Sequence, residues 1–214
     1  MGIGLTVLDS DRLAFHIVDN PEFSGIKSTI INLFVDPDST SRARASGEIA
    51  RNPRMSKTPG SGFGIRISCN GDGVTTAVVR DNRITGGVDA DFGILAEARL
   101  GAAQLDFELT GNHIEVGEGA LEAIAIRSRG STRMCAHIED NSASTIGGQA
   151  GLRLQQRGDS VLALAGIDTD GVDGAAAERF MARANPDVGG VKATADAGFT
   201  RASDGCSIPK EMNK

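Results

Sequence analysis

A chain of 214 residues with a formal charge of −6 and a pI near 5.1 has room for one domain, or one domain plus a small terminal element. The acidity argues against nucleic acid or an anionic membrane as partner, and no run approaches about 18 consecutive apolar residues, so membrane insertion is not expected. The 28 Gly, six Pro and eight aromatic residues, all Phe, suit many tight turns around small, regularly layered core side chains.

The N-terminal stretch MGIGLTVLDSDR lacks the basic region and long apolar run of a signal peptide. Ile3 and Leu5 open an alternating run, Leu13, Phe15 and Ile17 form a second, and Asn20 closes the phrase FHIVDN. The same order recurs four times, closing in GEIARN, AVVRDN, FELTGN and AHIEDN at Asn52, Asn82, Asn112 and Asn141. Successive Asn residues are 32, 30, 30 and 29 positions apart. A period of about thirty with alternation inside it marks a β-solenoid, in which each repeat is one coil.

Alternate residues of a strand face one side, so these runs can be laid in columns. Ile17, Ile49, Val79, Leu109 and Ile138 form one inward column, and Phe15, Gly47, Ala77, Phe107 and Ala136 another. For the strand that opens each coil, the expected column is Ile3, Leu33, Ile65, Ile94, Ile124 and Leu152. Leu33 stands 19 positions before its Asn where the others stand 17 or 18, so coil two is irregular. Its extra length is expected within residues 36–46 or 51–62.

Outward columns are polar. His16, Glu48, Val78, Glu108 and His137 set each His beside a Glu of the next coil, and Asp19, Arg51 and Asp81 alternate in charge. Such pairs read as surface accommodation rather than as metal ligands or catalysts. The Asn column is expected to supply left-handed turn residues and a ladder of stacked amides.

The five Asn-closed phrases, with GIRI (64–67), GILA (93–96), AIAI (123–126) and GLRL (151–154), resemble the right-handed parallel β-helix proteins. That group includes pectate-lyase-like enzymes, phage tailspikes and bacterial adhesins. The resemblance spans roughly residues 2–167. It implies an all-β, right-handed parallel β-helix of about five to six coils, and leaves activity open because such coils host many functions.

The expected division is coils over 1–167 and a C-terminal segment over 168–214. Residue 2 already occupies the first position of a coil, so the opening coil is expected to be uncapped, as in the C-terminal portion of a longer β-helix. Such an end could pair end to end with another copy. At the other end DGAAAERFMARANP (173–186) predicts a short helix, capped by Asp173 and stopped at Asn185–Pro186, with Phe180 and Met181 covering the last coil. VKATADAGF (191–199) is a possible last strand before a polar tail.

Chemistry is sparse. Asp89 and Asp91 sit within one turn and read as a solvated loop rather than a glycosidase pair. Asp168, Asp170 and Asp173 are the calcium candidates, but the stretch lacks the ordered loop spacing and position 179 is Arg, so an Asp-rich helix start is the simpler reading. No Cys/His pair has ligand spacing, and the glycine-rich GSGFGI (60–65) opens a strand rather than a helix. No catalytic residue and no cofactor is assigned. Cys69, Cys135 and Cys206 are odd in number and unmatched in the repeat, so two small buried hydrophobes and a tail thiol are expected, with no disulfide framework.

The functional expectation is a non-enzymatic structural or interaction module, adhesin-like and secreted or on a cell surface, with polysaccharide or a cell-surface protein as partner. The alternative is a β-helix polysaccharide lyase or glycoside hydrolase whose catalytic coils lie partly outside this chain.

Overall fold

The computed structural model describes residues 2–36, 42–86, 91–147 and 150–202, together with Cys206 and Ile208. The first coil comprises β1 (Ile3–Val7), β2 (Arg12–Val18) and β3 (Phe23–Ile26). The second comprises β4 (Ile31–Val35), β5 (Arg44–Ala50) and β6 (Met55–Lys57). β7 (Phe63–Asn70), β8 (Val74–Arg80) and β9 (Arg83–Thr85) form the third; β10 (Phe92–Arg99), β11 (Gln104–Thr110) and β12 (His113–Val116) the fourth. β13 (Glu122–Arg129), β14 (Arg133–Glu139) and β15 (Ser142–Thr145) make the fifth. β16 (Leu152–Arg157) and β17 (Val161–Leu164) follow, then α1 (Gly174–Ala184), β18 (Val191–Ala195) and β19 (Thr200–Arg201).

Each strand pairs in parallel with its counterpart one coil away. Strands that open the coils build the seven-stranded sheet A, the second strands the seven-stranded sheet B, and the third strands the five-stranded sheet C. The three sheets enclose one apolar core in which Leu33, Ile49, Ile65, Ile94, Phe107 and Ile124 are fully buried. Bulk alternates along the core columns. Phe15 is followed by Gly47, where an added Cβ would lie 2.7 Å from the Phe15 ring.

The opening-strand column differs from expectation by two residues in coil two. Ile31, not Leu33, pairs with both Ile3 and Ile65, and Leu33 pairs with Leu5 and Ile67. A shift of two keeps the same side chains inward, so periodicity alone could not reveal it. Five positions separate Val7 from Arg12 and Cys69 from Val74, but nine separate Val35 from Arg44. The extra length of coil two therefore falls within 36–43, of which 37–41 lie outside the described residues.

The ladder is continuous, and buried from Asn52 onward. The Asn82 Nδ2 amide donates to Asn112 Oδ1 (3.0 Å), and the Asn82 backbone N–H donates to the same oxygen (3.1 Å). Asn112 repeats both bonds to Asn141, and its Nδ2 also donates to Val79 O and Thr110 O. The turn itself is made by the preceding residue. Asp19, Arg51, Asp81, Gly111 and Asp140 have φ of +52° to +63°, the left-handed region, while no ladder Asn does. Asp and Gly tolerate this conformation. Arg51 has no such preference; it is held by Asp19, to which its Nε and Nη2 donate at 2.9 and 2.8 Å. Those bonds keep the Asp19 carboxyl below its ordinary pKa.

A sixth rung comes from the C-terminal segment. The Asn141 N–H and Nδ2 both donate to Asn185 Oδ1, at 3.1 and 2.9 Å, across 44 residues of sequence. Asn185 also ends α1, its N–H donating to Met181 O. The Asp173 carboxylate caps the start by accepting from Ala176 N (2.7 Å), and Met181 and Ala177 are buried against the coils. Asp140 N bonds Ala184 O as Asp81 N bonds Thr110 O, so the chain leaves the coil path for one helix and rejoins it at the ladder. β18 then adds to sheet A beside β16, and β19 to sheet B beside β17.

In the first coil Ile3, Leu5, Leu13, Phe23 and Ile26 are only partly buried, and Asn20 Oδ1 accepts no hydrogen bond among the described residues.

The cysteines depart from expectation. Cys135, on the outer side of sheet B, forms a disulfide with Cys206, with the two Cα atoms 5.4 Å apart. The bond ties the tail to the coils across 71 residues, a pairing no local spacing signals. Cys69 stays a buried free thiol, pushed up to about 11 by burial.

Asn112→Ala strands the Asn82 donors in the interior and should cost about 3 kcal/mol, whereas Asn20→Ala, at the partly exposed end of the ladder, should cost about 1 kcal/mol. Ile94→Asp, an unpaired charge in the core, should exceed both at about 4 kcal/mol or more. Urea unfolding would rank the three; equal costs for the two Asn variants would refute the ladder. Reducing Cys135–Cys206 should remove about 2–4 kcal/mol in the same assay, leaving Cys69 unlabelled until the chain unfolds.

Candidate interaction face

The residues singled out in the sequence are dispersed. His16 Nδ1 lies 3.9 Å from Glu48 Oε1 on the neighbouring coil, as its column implied. His137 stands opposite Glu108 in register, but its ring contact runs along its own strand to Glu139, Nε2 lying 3.2 Å from Oε2. Residues i and i+2 share a strand face, and His113 makes the same pair with Glu115 at 3.0 Å. Asp91 accepts a hydrogen bond from Gly62 N (2.9 Å); Asp89 lies outside the described residues.

The calcium candidates do not converge. Asp173 caps the helix, and Asp170 accepts from Arg201 N at 2.7 Å. Among the described residues no group of three or more His, Cys, Asp or Glu side chains is placed to hold a metal ion.

The concentrated chemistry lies on the outer face of sheet A. Its origin is a local break in alternation. Gly64, Gly93 and Ala123 turn inward directly before the inward Ile65, Ile94 and Ile124; a Cβ on Gly64 would come 2.7 Å from the Ile84 side chain. Two inward residues in succession put Phe63, Phe92 and Glu122 on the outside, beside Arg66, Leu95 and Ala125. Phe63 and Phe92 stack with centroids 5.5 Å apart and planes 5° from parallel. Phe92, Leu95 and Ala125 form an apolar floor separate from the main core.

Guanidinium groups cover that floor. Arg127 lies 4.6 Å over the Phe92 ring, and Arg66 lies 5.2 Å over Phe63 and 6.0 Å over Phe34. Stacking of this kind favours Arg, whose flat cation sheds water readily. Arg66 Nη2 and Ser68 Oγ each donate to Glu97 Oε1 at 2.8 Å. Glu122 takes Arg127 Nη2 at 3.2 Å on one oxygen and Arg153 Nε at 2.7 Å on the other.

Burial by itself would raise the Glu97 pKa. The hydrogen bonds from Arg66 and Ser68, with the charges of Arg99 and Arg66, outweigh it and leave the carboxyl below its ordinary value. Burial lowers the Arg127 pKa, and nearby Arg129 and Arg153 lower it further while Glu122 opposes them. A carboxylate held ionised in this way is not a proton donor near neutral pH.

The face was legible in principle, because Arg66, Leu95, Ala125 and Arg153 occupy one outward column between inward ones. What hid it was the doubled inward step, which breaks strict alternation at the glycines. Comparison with protein-family models, with curated proteins and with solved structures returns no match.

Glu97 yields a signed prediction. A carboxyl whose folded pKa is depressed contributes stability above its unfolded value, near 4.3, and loses it as pH falls through the folded value. Glu97→Gln should cost about 2 kcal/mol at pH 7 and less at about pH 3. Urea unfolding at both pH values checks it, and a penalty independent of pH would contradict the assignment.

Proposed function

We propose that this chain is a stiff, non-enzymatic structural and interaction module, adhesin-like, with the outer face of sheet A as its contact surface. The observation that carries this reading is the pairing of both central carboxylates of that face with arginine. Glu97 is held by Arg66 and Ser68, and Glu122 by Arg127 and Arg153. General acid–base catalysis needs titratable groups whose environments push their pKa values apart toward working pH. Here the arrangement instead holds Glu97 below its ordinary pKa. It makes a flat, fixed surface of charge over an apolar floor, which loses little side-chain entropy when a partner docks.

The Cys135–Cys206 disulfide supports an extracellular or cell-surface setting, since such bonds persist in oxidising compartments. In-register coils joined by a buried amide ladder supply the stiffness a stalk requires.

The competing reading is polysaccharide cleavage. Incubation with pectin, alginate and related polyuronates, with and without calcium, should give neither unsaturated products nor new reducing ends. Turnover with any of them, abolished by Glu97→Gln or Glu122→Gln in a folded protein, would replace the module reading with an enzyme.

A further inference from the structure

One outward column of sheet A is left electrostatically unresolved. Asn70, Arg99, Arg129 and Arg157 stand directly opposite one another on successive coils. Parallel strands lie about 4.8 Å apart, and like charges placed opposite at that distance repel. Arg99 has partial relief: its Nε donates to Asn70 Oδ1 at 3.0 Å and lies 4.0 Å from Glu97. Arg129 has only a neutral partner, Gln155 Oε1 at 2.9 Å, and its buried Nε has none. Arg157 is exposed and makes no ion pair among the described residues.

Neighbouring charges deepen the imbalance. Arg127 stands in the adjoining column and Arg153 in the one beyond it, and the two share the carboxylate of Glu122. At the turns that border the column Asp72 accepts from Ala102 N and Asp196 from Gly158 N, and neither these two nor the exposed Asp159 forms an ion pair with the column among the described residues. A chain of net charge −6 thus gathers a cationic stripe on one face. Three guanidinium forks on consecutive coils, short of anions, supply the donors that Arg uses for tetrahedral oxyanions.

Resting on the reading of sheet A as a contact surface, we propose that Arg99, Arg129 and Arg157 form a binding site for a tetrahedral oxyanion, a phosphate or sulfate group. The group is either a free ion or an ester carried on a larger molecule. A divalent tetrahedral anion offers oxygens to more than two forks at once, and its charge answers the excess of the column. A single carboxylate brings one charge and two oxygens, half the charge of the divalent ion and fewer acceptors. Bases of a nucleic acid would find no open stacking platform, because guanidinium groups already cover the Phe rings.

The test uses the full chain. Inorganic phosphate and sulfate are titrated against chloride at constant ionic strength, with binding read by calorimetry and melting temperature. Saturable binding is expected, weakened about tenfold or more in Arg129→Gln and in Arg157→Gln, and unchanged in Arg54→Gln on an exposed turn. In low salt without phosphate, both column variants should melt at or above the parent temperature, because repulsion is relieved. That reading separates a binding role from a purely structural one. Competition by a sulfated glucan, but not by the unsubstituted glucan, would assign the group to an ester on a polymer; lack of competition beside phosphate binding would assign it to the free ion. Non-saturable binding, or equal binding by the column variants, would overturn the site. The polyuronate assay stands apart from this result, so either proposal can fail alone.

Discussion

Everything in this protein depends on keeping its coils in parallel register, and the buried amide ladder is where that register is most tightly specified. From Asn52 to Asn141 each Asn side chain offers one oxygen to two donors of the preceding coil and returns its NH2 group to the next rung and to backbone carbonyl oxygen. Inside a low-dielectric core an unmatched amide is costly, so sliding one coil by a single residue would both strand these groups and turn the apolar columns outward. Ladder and core therefore enforce the same alignment by different physics.

That constraint explains how the coils tolerate irregularity. Four extra residues enter coil two between β4 and β5, and a whole helix enters between β17 and Asn185, yet pairing resumes in register after each. Insertions leave from corners where the chain already turns, and the next rung brings it back. The C-terminal helix is therefore more than a cover over the last coil, since the residue that ends it is itself a rung.

Register also shapes the surface. Stacking identical positions about 4.8 Å apart forces like side chains into contact, which is harmless for Phe63 and Phe92 and unfavourable for Arg99, Arg129 and Arg157. Where carboxylates fall in neighbouring columns, as Glu97 and Glu122 do, the charges are absorbed into ion pairs. Where they do not, charge is left over, and the contact surface acquires chemical preference from a repeat whose first purpose is structural.

Architecture was legible from the chain alone because two periods, about thirty and two, are written directly in residue types, and a solenoid is built from those two periods. Inward columns and five of the ladder rungs followed from them, and the helix within 173–186 from its Asp173 cap, its Ala-rich run and the Asn185–Pro186 stop. The tertiary structure alone decided what periodicity cannot encode. A two-residue slip in coil two preserves every side-chain direction, so only pairing shows that Ile31 rather than Leu33 joins the column. Asn185 is 44 residues beyond its partner, and Cys206 is 71 beyond Cys135; both are brought back by the path of the chain, not by a repeat. The outer face of sheet A belongs to the same class, because the doubled inward step at Gly64, Gly93 and Ala123 depends on the space beneath each residue, and that space exists only once the coils are stacked.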